Sequence, residues 1–261
     1  MHRVILLPGA VTPADIAFGS LIDSLGGQVE TVAKKLELYA DEELPADYSL
    51  DTEVAGVLRE GDKRGWQRFH LAGYSAGGAA ALAAAALHPD RLLSLALLEP
   101  AWAGEWDVSE AERAVSAEFE KLDTLTTADE FMAAFARLQL RPGVAPPAQE
   151  PGPLPPWMAK RPAGIGALMR TFRTYDLDRE PLRRFCRPVY YALGHLSNPD
   201  LYRERAERLA RVFEDFTLEV FEERHHFDPP HRVEPGRLAG SLCTFWKRSE
   251  AMRLWHTTAA V

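Results

Sequence analysis

The sequence predicts an α/β protein: a mostly parallel sheet flanked by helices, interrupted once by a helical insertion. Three observations predict it. Strand-like and helix-like runs alternate three times in the first hundred residues, the rhythm of a parallel sheet covered on both faces. Between 101 and 186 the rhythm stops and no convincing strand is found. At 188 it resumes. The core therefore spans 1–100 and 187–261, and 101–186 is an insertion between two strands of one sheet.

The elements follow in order. Residues 3–7 are a β-branched and leucine-rich run cut off by Pro8-Gly9, which reads as a strand buried on both faces. Residues 14–25 carry apolar positions at helical spacing and stop at Gly26-Gly27. A weaker strand lies within 28–38. Residues 51–61 read as a helix opened by Asp51 or Thr52 and closed by Gly61. A strand at 66–72, an alanine-rich helix at 77–87 and a strand at 91–98 complete the first half. In the insertion, 109–121 and 127–138 are helical, the second opened by the capping-box pattern Thr127 to Glu130. Residues 142–156 are too proline-rich for regular structure, and 157–175 are helical again. Then come a strand at 188–193, a charged amphipathic helix at 199–213, a strand at 216–221 and a helix at 235–248. Residues 249–261 read as a loosely held tail.

Composition excludes several function classes. Of 261 residues 46% are apolar and 26% charged, with a formal net charge of −8 and both signs interspersed. That disfavours nucleic acid or an anionic membrane as partner. The apolar run before Pro8 is too short for a signal-peptide core or for a membrane span of about 20 residues, so a cytoplasmic location is expected. Cys186 and Cys243 form no CxxC spacing and read as reduced packing residues. No glycine-rich phosphate fingerprint is present, and no cofactor is expected. Composition is silent on a small neutral substrate, and a small-molecule partner is the expectation; the exposed faces of the insertion could also pair two chains as a homodimer.

Chemistry concentrates at Gly73-Tyr74-Ser75-Ala76-Gly77. This is G-x-S-x-G between a strand and a helix, the context in which a sharp turn lifts a serine hydroxyl above the sheet edge. The amide of Ala76, at a helix start, points where an oxyanion would form. The bland alternative is a glycine-rich turn capped by a serine. With LLPG at the first strand, GYSAGG at the turn, LLEP after the next strand and a histidine after the last, the chain resembles an α/β-hydrolase with a helical lid over nearly its whole length.

That resemblance implies a serine nucleophile, Ser75, with a histidine base after the last strand. In Arg224-His225-His226-Phe227-Asp228-Pro229-Pro230-His231, His226 best matches the family's histidine–apolar pair, ahead of His225 and His231. The same stretch holds metal-ligand types, but its spacing matches no zinc signature, and no metal is expected. The family's usual acid follows the glycine of the next-to-last strand. Here Gly194 is followed by His195-Leu196-Ser197-Asn198, and the first acid is Asp200. A subset of the family carries the acid at the end of the strand after the nucleophile's helix, where Glu99 stands. An acid ending an apolar strand is costly to bury without a partner, so Glu99 is preferred, Asp200 is the alternative and Asp228 comes after it. The resemblance assigns Ala10 as second oxyanion donor, with Thr12 weaker. Tyr74, Trp102, Trp106 and Trp157 are expected to line a pocket for an apolar or aromatic acyl group. The activity implied is hydrolysis of an ester, lactone or thioester through an acyl-enzyme. The alternatives are lyase, cyclase or carbon–carbon cleavage on the same fold, or a non-catalytic binding module.

Overall fold

Six strands, all parallel, form one sheet in the order β2-β1-β3-β4-β5-β6. They are β1 (His2–Leu7), β2 (Val29–Ala33), β3 (Phe69–Tyr74), β4 (Leu92–Leu98), β5 (Val189–Gly194) and β6 (Phe216–Phe221). The computed structural model describes residues 1–146 and 154–258. Because side chains alternate along a strand, each strand feeds two cores. Val4, Leu6, Ala72 and Ala96 pack under α1 (Ala14–Leu25) and the long C-terminal helix. Ile5, Leu7, Leu71, Leu95 and Leu97 pack under α2 (Leu50–Lys63) and α3 (Ala76–Leu87). Each fully buried leucine contributes roughly 1.5–3 kcal/mol.

Helix α3 is buried all round, which explains a sequence of alanine and glycine. Small residues let it lie against the sheet; a Cβ on Gly78 would stand 2.8 Å from Pro100 Cα.

Among the described residues, four helices connect β4 to β5: α4 (Glu110–Lys121), α5 (Ala128–Leu138), α6 (Arg161–Thr174) and α7 (Arg179–Arg183). Ser109 caps α4 by accepting the Glu112 N–H at 3.1 Å, and Thr127 caps α5 through the Glu130 N–H at 3.2 Å. Among the described residues this stretch contains no named strand. A buried ionic cluster ties α4 to α8 (Pro199–Ala210): Glu112 accepts from Arg205 Nε at 2.7 Å and from Arg208 at 3.0 Å. The five-residue α7, opened by Asp178, was not legible as a helix. It packs on α3, with Leu182 and Phe185 in the core cluster.

Several boundaries differ from the sequence reading. The cap of α2 is Ser49, whose N–H reaches Thr52 Oγ1 at 3.4 Å, and the helix passes through Gly61 to Lys63. Gly61 serves packing instead, since a Cβ there would meet the Phe69 ring at 2.7 Å. A short α9 (Pro230–Val233) precedes α10, which runs Pro235–Thr258. The expected loose tail is therefore helical to 258; Glu250 is held there by His2 Nδ1 at 2.9 Å and His70 Nε2 at 3.2 Å. Residues 259–261 lie outside the described residues. So does 147–153 of the proline-rich stretch. Its flanks are a turn closed by Val144 N–H on Arg141 O and a 3₁₀ turn at Pro156–Lys160. Among the described residues no helix is long and apolar enough to cross a membrane.

Candidate active site

The turn from β3 into α3 is as tight as its glycines allow. A Cβ on Gly73 would collide with the Gly77 carbonyl, and one on Gly77 with that of Leu7. Between them Ser75 sits at φ 53°, ψ −117°, a left-handed conformation that a non-glycine residue holds only when its surroundings impose it. Those surroundings are visible: Ser75 N–H donates to Leu98 O at 3.1 Å, and Ser75 O accepts from Ala101 N–H at 2.9 Å. The end of β4 is twisted likewise, with Glu99 at φ 48°.

The structure joins Ser75, His226 and Glu99 in one hydrogen-bonded chain. His226 Nε2 lies 3.0 Å from Ser75 Oγ, and His226 Nδ1 lies 3.0 Å from Glu99 Oε2. The other carboxylate oxygen accepts the Gly194 N–H at 2.8 Å. The backbone glycine that normally precedes the family's acid thus holds the acid from β4 instead. Asp200 is not part of this chain; it lies in the first turn of α8, its N–H on Asn198 Oδ1. Neither His225 nor His231 takes the place of His226. His225 Nδ1 accepts from the Phe227 and Asp228 N–H groups. His231 is fully buried with both ring nitrogens unpartnered among the described residues.

Burial holds His226 below the usual imidazole range, the charge of Arg205 adding to the effect while Glu99 opposes it. The resting ring is then neutral near pH 7. With Nδ1–H donated to Glu99, Nε2 is left to accept the Ser75 hydroxyl proton. The ring is clamped by Tyr202, stacked at 4.5 Å and 16°, and by Tyr74 at 5.0 Å. The Tyr74 hydroxyl donates to the His226 carbonyl.

Ala10 and Ala76 border the cleft beside Ser75, and among the described residues neither amide donates to another group. The loop carrying Ala10 comes close because residue 9 is glycine: a Cβ there would stand 2.8 Å from the Tyr74 ring and 3.2 Å from Ser75 Cβ. The cleft encloses about 120 Å³. Its walls include the apolar Trp102, Phe119, Phe135, Ile165, Leu168, Met169 and Phe172, with Glu105, Ser116, Glu120, Gln139, Arg173, Tyr202 and Arg205 among its polar groups. Trp102 and Phe172 stack at 5.6 Å. A smaller lobe on the far side of Ser75 is lined by Gly9, Thr12, Tyr74, His226 and His231.

Two expected lining residues lie elsewhere. Trp106 turns away to pack over Arg208 at 4.9 Å, its Nε1 on Leu177 O at 3.2 Å. Trp157 borders a separate recess beside Arg161. Arg205, Gln139 and Tyr202 were not anticipated, because an amphipathic charged helix gives no sign of which of its polar residues is turned inward. One metal-type cluster exists among the described residues, His2, His70 and Glu250, with ligand atoms within 4.8 Å of one another. It lies at the amino end of the sheet, away from Ser75, and not in the 225–231 stretch considered from sequence.

Comparison with known proteins agrees with this architecture. The family model described as alpha/beta hydrolase fold matches residues 22–227, and the chain belongs to that family. No curated protein matches it in sequence. Among solved structures it is similar to an esterase from Exiguobacterium antarcticum, with TM-score 0.71, 19% identity and coverage of 95% of this chain and 92% of that one. It is also similar to a bacterial membrane phospholipase A described as a virulence factor, with TM-score 0.70, 22% identity and coverage of 95% and 79%. A meta-cleavage product hydrolase from Pseudomonas fluorescens gives TM-score 0.66 and 16% identity, covering 95% and 92%. At these identities the likeness is one of fold.

Proposed function

We propose that the protein is a serine hydrolase that cleaves an ester, lactone or thioester of a small apolar or aromatic substrate through an acyl-enzyme. The observation that carries this reading is the chain Ser75–His226–Glu99 at 3.0 Å and 3.0 Å, opening onto an apolar cleft beside two free backbone amides. Ser75 Oγ attacks the carbonyl carbon while His226 Nε2 takes its proton. The Ala10 and Ala76 N–H groups hold the oxyanion, and Glu99 steadies the imidazolium. His226 then returns the proton to the departing alcohol or thiol. Water, deprotonated by the same ring, releases the acid and restores Ser75. The helices between β4 and β5 act as a lid that keeps the cleft dry, and the stacked Trp102–Phe172 pair receives the acyl group.

A panel of p-nitrophenyl esters and acyl thioesters, graded in chain length and with aryl members, tests the reading. Saturable turnover with kcat/KM rising toward apolar and aromatic acyl groups is expected, with a pre-steady-state burst where deacylation is slow. Turnover confined to short charged esters would count against the apolar substrate class.

A further inference from the structure

A recess that this chemistry leaves unused opens outside the carboxyl ends of β1 and β2. Pro8, Gly9, Thr12 and the first turn of α1 form one wall; Lys35, Tyr39, Trp157 and Arg161 form the other. Arg161, the first residue of α6, is only 6% exposed, yet among the described residues no carboxylate pairs with it. Its guanidinium lies 3.9 Å from the Tyr39 ring centroid and 5.4 Å from that of Trp157. It donates one hydrogen bond, from an Nη nitrogen to Ala10 O at 3.3 Å, and its Nε is buried without a partner. An enclosed cation normally has a counter-charge, because desolvation costs several kcal/mol. Each aromatic face returns about 2 kcal/mol when desolvated, but neither supplies a negative charge.

The other groups of the recess have the same character. Helix α1 is twelve residues long, and Pro13 before it offers no side-chain cap, so its first amides have no side-chain partner. Lys35 is exposed, its ammonium on the Ala40 carbonyl at 3.1 Å. One carboxylate, the exposed Asp15, also borders the recess, leaving the side chains a net charge of +1. The site is built in advance: Tyr39 is positioned by the chain segment whose Glu37 and Leu38 N–H groups donate to the buried Glu53 carboxylate at 2.9 and 3.0 Å.

We infer that this recess binds an oxyanion group, a phosphate or a carboxylate, held by Arg161, Lys35 and the amino end of α1. Gly9 and Thr12 also wall the smaller lobe beside Ser75 and His226, and the carbonyl that Arg161 holds belongs to Ala10. An anion bound here therefore sits against the loop that borders the Ser75 cleft. The site goes beyond the hydrolase reading and does not depend on it.

Calorimetric titration of the whole protein at low ionic strength tests it, with inorganic phosphate in one arm and succinate in the other. One saturable site is expected in at least one arm, and the tighter ligand tells phosphate from carboxylate. Lys35→Glu, a surface change, should weaken binding at least about tenfold through charge reversal at close range, and Arg161→Gln should remove it. The inference is overturned if neither anion binds the wild type, or if the variants bind as tightly as the wild type. Should Arg161→Gln fail to fold, Lys35→Glu alone decides. Failure of the hydrolase reading would show as an unreactive Ser75 and would leave these titrations unchanged.

Discussion

Two ends of the same sheet carry a serine, a histidine and a glutamate in hydrogen-bond contact. At the carboxyl end these are Ser75, His226 and Glu99. At the amino end His70 Nδ1 lies 2.8 Å from Ser94 Oγ, and its Nε2 lies 3.2 Å from Glu250. Burial lowers the affinity of both histidines for a proton. Connectivity and pKa direction are thus shared, and the difference lies in the serine. Ser94 lies within β4, fully buried, paired with His70 just past a shift in the β3–β4 register. Ser75 is raised on a left-handed turn at a helix start and lines a cleft beside two unsatisfied amides. A hydrogen-bonded triad becomes a candidate nucleophile through access and oxyanion donors, not through its bonds alone.

Removing each serine separates the two clusters most sharply. Ser75→Ala is expected to lower kcat toward a p-nitrophenyl ester by roughly 10⁴-fold or more. Ser94→Ala should leave kcat within about twofold and cost about 1–3 kcal/mol of stability, because a buried imidazole nitrogen loses its partner; urea unfolding reads that loss. A large activity loss in Ser94→Ala would erase the distinction.

The acids come next. Glu99→Gln should lower kcat by roughly 10³–10⁴-fold, whereas Asp200→Asn should change it by less than about twofold. Gly9→Ala should lower kcat by about 10–100-fold, with a smaller effect on KM, since the added methyl pushes the loop from Tyr74 and displaces the Ala10 amide.

Two pH dependences sharpen the account further. His226 in the folded protein protonates below the usual imidazole range. The acid limb of kcat/KM should therefore have its inflection below about 6.5 and be flat from pH 7 to 8. For stability, His231 is pushed down to about 3 by burial. Its unfolded state binds a proton from about pH 6.5 downward while the folded state does not, so stability falls as pH drops from 6.5 towards 3. By pH 5 this amounts to about 2 kcal/mol from His231, readable in urea midpoints. Glu250, held down to about 2 by the hydrogen bond from His70, adds a loss that begins only below about pH 4.3.

Much of this was legible in the chain because the signals are local. The glycines flanking Ser75 and the acid closing the apolar run LLSLALLE are each read from a few neighbours. The strand–helix alternation gave the sheet for the same reason. His226 needed the family's histidine–apolar pair to be preferred over His225 and His231, since three histidines within seven residues look alike without tertiary context. Trp106 and Trp157 misled because aromatic residues near an insertion advertise burial but not the cavity they face. Arg161 and Arg205 were silent for a deeper reason: their meaning lies in which counter-charges are near, a property of the folded chain. The amino-end cluster was hidden by distance, with residues 2, 70, 94 and 250 meeting only after the sheet and α10 form.

The most direct test is covalent. Wild type, Ser75→Ala and Ser94→Ala would each be treated with a fluorophosphonate, and if the cleft excludes it with a smaller sulfonyl fluoride, and measured by intact mass. One adduct on wild type and on Ser94→Ala, none on Ser75→Ala, is the result expected of an activated serine at the carboxyl end. An unlabelled folded wild type with both reagents, or an adduct that survives in Ser75→Ala, would contradict it.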